Sequence, residues 1–130
     1  MPCTIVPHTI LDNDYASVYR IELPEPLPGY REFLTPWLVT VKNSSKHINT
    51  LIDPGPAFSI PHLVEQLKRL GISGLDWIFL THIHIDHAGG TGALCKVFPS
   101  AKVLVHPRGY KHLASPGKLW QGSLDTLGTL

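Results

Sequence analysis

Residues rich in β-branching and aromatic rings dominate the first half of the chain, and apolar residues at helical spacing dominate the second. "TIVPHTIL" and "YASVYRIEL" read as strands, with "DND" between them as a turn. "PEPLPGYREFLTP" carries too many prolines for regular structure and reads as a long loop. "WLVTVKN" and "HINTLID" flank "SSK", the pattern of a β-hairpin. The character changes after "DPGPAFS". Ser59 is placed to cap a helix, Pro61 falls in its first turn, and Leu63, Val64, Leu67 and Leu70 share one face before Gly71 stops it.

"LDWIFL" and "AKVLVH" are short apolar runs of buried-strand length. Between them "GGTGALCKVF" predicts a helix with Ala93, Leu94, Val97 and Phe98 on its apolar side. "PRGYKHL" predicts another, and Leu119, Trp120, Leu124 and Leu127 recur at helical spacing. The order is strands first, then helix and strand in alternation. That predicts an α/β (α+β) chain: a mixed sheet covered by helices.

Composition narrows the function. The 130 residues are 43% hydrophobic and 16% charged, as expected of a folded domain with a core. Net charge is +1 with no basic block, so neither nucleic acid nor a membrane surface is an expected partner. No apolar run approaches the length of a bilayer span, and the N-terminus carries no signal-peptide pattern. Cys3 and Cys95 could pair, but two cysteines form no disulfide framework. They read as reduced thiols in a cytoplasmic protein.

"THIHIDHAGG", Thr81–Gly90, concentrates the chemistry. His82, His84, Asp86 and His87 offer four potential metal ligands in six positions, directly after an apolar strand. In extended backbone His82 and His84 point the same way, suiting a borderline metal such as zinc, and Asp86 continues the alternation. His87 then projects elsewhere and could serve a second metal beside Asp86. Gly89 and Gly90 let backbone pass where a side chain would collide. The carboxyl end of a strand is where α/β sheets place their sites.

These residues match the HxHxDH signature of the metallo-β-lactamase-fold hydrolases, and the chain resembles that superfamily from about Trp37 to Leu130, including "LIDPG" and "FPSAKVLVHPRGYKHL". The motif looks most like the glyoxalase II-like and general hydrolase branch. The resemblance implies the N-terminal half of a four-layer αβ/βα sandwich. It implies that His82 and His84 hold one metal, and Asp86 and His87 another. Zinc is expected, two ions in the complete site, with iron or manganese as substitutes. A hydroxide bridging the ions would attack a small-molecule ester or thioester, with Asp86 also orienting the nucleophile. Asp53 corresponds to an aspartate that orients ligands, although it also reads simply as a turn residue before Pro54 and Gly55. His106 ends the following strand at the same sheet edge, as a pocket wall or a ligand; a Cys95 thiolate is not expected to serve.

The superfamily's site also draws a histidine, a bridging aspartate and a further histidine from its second half. These 130 residues offer two ligands per ion, so the expectation is one incomplete domain, residues 1–130, with an uncovered sheet face. The chain is expected to be a truncated form of a hydrolase, inactive or weakly active alone. The alternatives are a non-catalytic half-domain that binds a complementary chain or a second copy of itself, and a phosphodiesterase or nuclease of the same superfamily.

Overall fold

A computed structural model describes residues 7–24, 34–117, 121, 122 and 125. Strands β1 (His8–Asp12), β2 (Ala16–Arg20), β3 (Trp37–Lys42) and β4 (His47–Ile52) form an antiparallel meander. β5 (Trp77–Phe79) and β6 (Lys102–Leu104) extend it in parallel, so the six strands lie in chain order. Helix α1 (Ile60–Arg69) follows β4 after a 3-10 turn at Ala57–Ser59. Helices α2 (Ile85–Ala88) and α3 (Thr91–Val97) lie between β5 and β6, and α4 (Pro107–Ala114) follows β6. The loop expected at 24–36 falls mostly outside the described residues, as do Cys3, Leu119, Trp120, Leu124 and Leu127.

Asparagine side chains build both hairpin turns. Asn13 Oδ1 accepts from the N–H of Tyr15 and Ala16, and Asn43 Oδ1 from those of Ser45 and Lys46. These bonds replace the ladder bonds that a reversing backbone gives up. The switch from antiparallel to parallel pairing is anchored by Asp76. Its Oδ2 accepts from Asn49 N–H at 2.9 Å, and Oδ1 meets Lys46 Nζ at 2.9 Å. Those two partners hold its carboxyl below the usual range.

The core lies on one face of the sheet. Leu38, Leu51 and Ile78 are in register across β3, β4 and β5, and all three are fully buried. Leu63 and Leu67 of α1 and Leu94 of α3 belong to the same cluster. α1 ends as expected at Gly71 (φ 76), with Ile72 N donating to Leu67 O and Gly71 N to Lys68 O. Ser59 occupies the N-cap position without a side-chain cap bond; its hydroxyl donates to Pro56 O instead.

The other face of the sheet is less covered. Trp77 and Phe79 flank the buried Ile78 and are 37% and 38% exposed. Leu104, in register with Phe79, is 49% exposed. Two sequence expectations are corrected here. β6 is not buried: all three of its residues are exposed, because it is the edge strand and has one strand neighbour. Val97 is also exposed, lying about 100° round the helix from buried Phe98.

This one-sided core gives a direct stability prediction. Ile78→Ala should cost about 2–5 kcal/mol in urea unfolding, because it opens a cavity between sheet and helices. A loss below about 1 kcal/mol would contradict the packing described.

Candidate metal centre

Because β4, β5 and β6 run parallel, their carboxyl ends share one edge. β4 leads into Asp53, β5 into Leu80 and Thr81, and β6 into Val105 and His106. The ladder runs slightly past the strands: Asp53 N–H donates to Phe79 O and Leu80 N–H to Leu104 O. The chain then turns sharply at Asp53, whose φ of 49° is the one positive value at a non-glycine among the described residues. Such backbone costs on the order of 1–3 kcal/mol. Asp53 offsets it by accepting twice from Thr81, through Oδ1 from the amide at 2.9 Å and through Oδ2 from the hydroxyl at 2.5 Å. Hydrogen bonds to charged groups contribute about 1.5–3 kcal/mol each, enough to hold the turn.

The next residues clamp the histidine motif. Gly55 (φ 91) donates to His87 O at 2.9 Å, and Gly90 N–H donates back to Gly55 O at 2.8 Å. A Cβ on Gly90 would lie 2.7 Å from Gly55 O and 2.4 Å from Ile60 Cδ1. The close backbone approach expected at the glycine pair is present at Gly89, where a Cβ would lie 2.4 Å from Ile85 O, and again at Gly90. What approaches Gly90 is the Pro54–Gly55 loop.

Extended backbone lasts only as far as His84 (φ −57, ψ 141). There the chain enters α2, and His84 O accepts from His87 N and Ala88 N. The alternation expected to continue to Asp86 therefore stops two residues earlier. The His82 and His84 rings meet edge to face, with centroids 4.9 Å apart. The helical turn also swings His87 back, so its ring centroid lies 4.2 Å from that of His82 rather than projecting away. His87 stands between two carboxylates, with Nδ1 3.7 Å from Asp53 Oδ2 and Nε2 3.4 Å from Asp86 Oδ2.

Asp53, His82 and His87 each present a ligand atom within 4.8 Å of the other two. This three-donor group draws on the carboxylate expected to stand behind the ligands, and it brings His82 and His87 together across the pairs read from the sequence. His84 and Asp86 adjoin it through their ring and carboxylate contacts. Imidazoles and carboxylates are the donors that zinc and similar divalent ions take, and His82, His84, His87 and Asp86 supply both kinds at this edge. The residues present therefore fit a divalent ion.

His106 caps α4, its Nδ1 accepting from Arg108 N–H at 3.2 Å. With His112 and Arg108 it lines an open cleft whose other wall includes Thr81 and His82. It is not in the three-donor group. His8 and His47 are exposed on strands, and His62 is half-buried on α1. Cys95 is a free thiol that burial pushes above its ordinary pKa, which disfavours the thiolate a metal needs. Thr81 is the residue that motif reading passed over. Its signal was a hydroxyl directly beside the first histidine, at a strand end.

A mixed sheet with helices packed against its core face and histidines at its carboxyl edge defines an α/β scaffold with a candidate metal site. The profile of the metallo-beta-lactamase superfamily matches residues 35–127, and the chain belongs to that superfamily. FEZ-1 metallo-beta-lactamase from Legionella gormanii shares the fold, with a TM-score of 0.66 at 23% identity over 91% of this chain and 39% of that one. A probable metallo-hydrolase of Methanocaldococcus jannaschii is 33% identical over 76 residues, 58% of this chain and 36% of that protein. Hydroxyacylglutathione hydrolase of Aeromonas salmonicida is 39% identical over 67 residues, 52% of this chain and 23% of that enzyme. The aligned regions thus span about a third or less of these curated relatives.

The clamp predicts opposite outcomes for two neighbouring glycines. Gly90→Ala should destabilise the chain by about 1–3 kcal/mol, since the new methyl meets backbone. Gly92→Ala, where a Cβ meets nothing within 4 Å, should stabilise helix α3 by roughly 0.5–1 kcal/mol. Thermal unfolding of the two variants reads this difference, and equal effects would contradict the clamp.

Proposed function

We propose that the chain is the metal-binding half of a metal-dependent hydrolase acting on a thioester or ester. The observation that carries this reading is the convergence of Asp53, His82 and His87 at one sheet edge, with His84 and Asp86 adjoining. The hydroxyacylglutathione hydrolases among its relatives favour a thioester. His82, His84, Asp86 and His87 are the proposed ligands, Asp53 their orienting partner, and Asp86 the residue that orients the nucleophilic water. His106 is proposed as a wall of the substrate cleft. Zinc is the proposed metal, with two ions in a site completed by residues beyond these. A bound zinc would lower the pKa of its water to about 7 and draw charge from a developing oxyanion.

The chain's own residues do the positioning. The Asp53–Thr81 bonds fix where His82 leaves the strand, and the Gly55–His87 and Gly90–Gly55 bonds fix α2. The imidazoles are thereby gathered before any ligand arrives, which reduces the ordering cost of binding. Among the described residues no helix is long and apolar enough to cross a membrane. The Cys95 thiol suits a proposed cytoplasmic location.

Metal analysis after zinc loading tests the reading. The purified chain should retain about one ion, and Asp53→Ala or His82→Ala should lower the affinity about 10- to 100-fold. Retention below about 0.2 ion per chain would contradict it.

A second reading is favoured by the half-covered sheet face. Val41, Trp77, Phe79 and Leu104 are exposed there, and contiguous apolar surface marks association sites. In this reading the chain is a non-catalytic half-domain that pairs through the face, with a complementary chain or a second copy. Sedimentation of the purified chain should then show a dimer or larger species. A stable monomer at high concentration would contradict pairing with itself.

A further inference from the structure

We propose that Thr81 is a positioning residue that sets the tautomer of His82, by passing the acceptor character of Asp53 through its hydroxyl. Thr81 Oγ1 has two polar partners, Asp53 Oδ2 on one side and His82 Nδ1 at 2.8 Å on the other. A hydroxyl has one proton to donate, and a carboxylate can only accept. The Thr81 proton therefore points at Asp53. The oxygen then offers His82 only a lone pair, and Nδ1 can approach to 2.8 Å only as an N–H donor. His82 is thereby held as the Nδ1–H tautomer, with the lone pair on Nε2.

Asp53 cannot turn away from this duty. Its Oδ1 is engaged by the Thr81 amide at 2.9 Å, which fixes the carboxylate plane and aims Oδ2 at the hydroxyl. The same threonine thus supplies both the bond that fixes Asp53 and the oxygen that reads it. An isolated neutral histidine prefers the proton on Nε2, so the fold works against the intrinsic preference here. A ring nitrogen can hold a metal only through a free lone pair, and its partner nitrogen decides which one is free. The consequence for binding rests on the proposal that His82 is a ligand; the tautomer itself does not, because it belongs to the metal-free chain.

The arrangement predicts an inversion. In Asp53→Asn the amide oxygen can take over the Thr81 N–H, placing the NH2 group against Thr81 Oγ1. The hydroxyl then accepts from the amide, and its proton, no longer claimed by a carboxylate, is free for His82 Nδ1, which favours the ring proton on Nε2. Thr81→Val removes the hydroxyl and should release His82 to its intrinsic Nε2–H form. Thr81→Ser keeps the hydroxyl and should keep Nδ1–H.

Long-range nitrogen–proton correlation spectra of the metal-free chain, at a pH where the imidazoles are neutral, read the tautomer directly. The unmodified chain and Thr81→Ser should show His82 as Nδ1–H, and Thr81→Val and Asp53→Asn as Nε2–H. His47, exposed on β4, serves as the unaffected reference. Zinc titration of the same samples should show affinity about 10- to 100-fold lower in Thr81→Val, restored in Thr81→Ser. An Nε2–H signal in the unmodified chain overturns the proposal, as does a tautomer unchanged in folded Thr81→Val or Asp53→Asn. A tautomer that shifts in Thr81→Val without loss of zinc affinity overturns the positioning role. If the tautomers follow the prediction while the unmodified chain binds no zinc, the relay stands and the metal reading of the site falls.

Discussion

The carboxylate of Asp53 holds the end of β5 to the end of β4, and the site is assembled from that joint. Its two bonds to Thr81 offset the left-handed backbone that the turn requires. The turn sends Pro54 and Gly55 across the motif, where Gly55 donates to His87 of α2 and accepts from Gly90. Without the joint, the bonds that bring His82 and His87 to one edge would lose their common anchor. The strain sits at Asp53, and its compensation comes from Thr81, 28 residues further along the chain and directly before the first histidine.

The sheet beneath obeys a simpler constraint. Ordinary strands bury one row of side chains against helices, and Leu38, Leu51 and Ile78 form that row. The alternate row carries aromatic and aliphatic residues as well, yet Trp77, Phe79 and Leu104 stay exposed. A surface of that composition is characteristic of association sites rather than of a solvated face. β5 therefore looks doubly buried in sequence and is singly buried in the structure, and β6 is exposed along its length.

Much of the scaffold was legible because its signals are local. Both hairpins, the apolar stripe of α1 and the stop at Gly71 follow from residue types at fixed spacing. The histidine motif identified the family for the same reason. The turn at His84 was hidden, because period-two reasoning assumes extended backbone and "IDHA" is one turn of helix. Hence His87 comes to His82 instead of leaving it. The contribution of Asp53 to the three-donor group depends on a positive φ and on contacts 28 residues away, which spacing cannot report. Thr81 was overlooked since a threonine beside a histidine signals nothing until both of its neighbours are placed.

The central claim is that three of the eight histidines, His82, His84 and His87, form one metal-binding edge. Following all imidazole signals by nuclear magnetic resonance while zinc is added tests it most directly. The account predicts that these three signals shift together and saturate at one stoichiometry, while His8, His47, His62 and His112 stay in place. Zinc-dependent shifts confined to those four, or spread evenly over all eight, would contradict it.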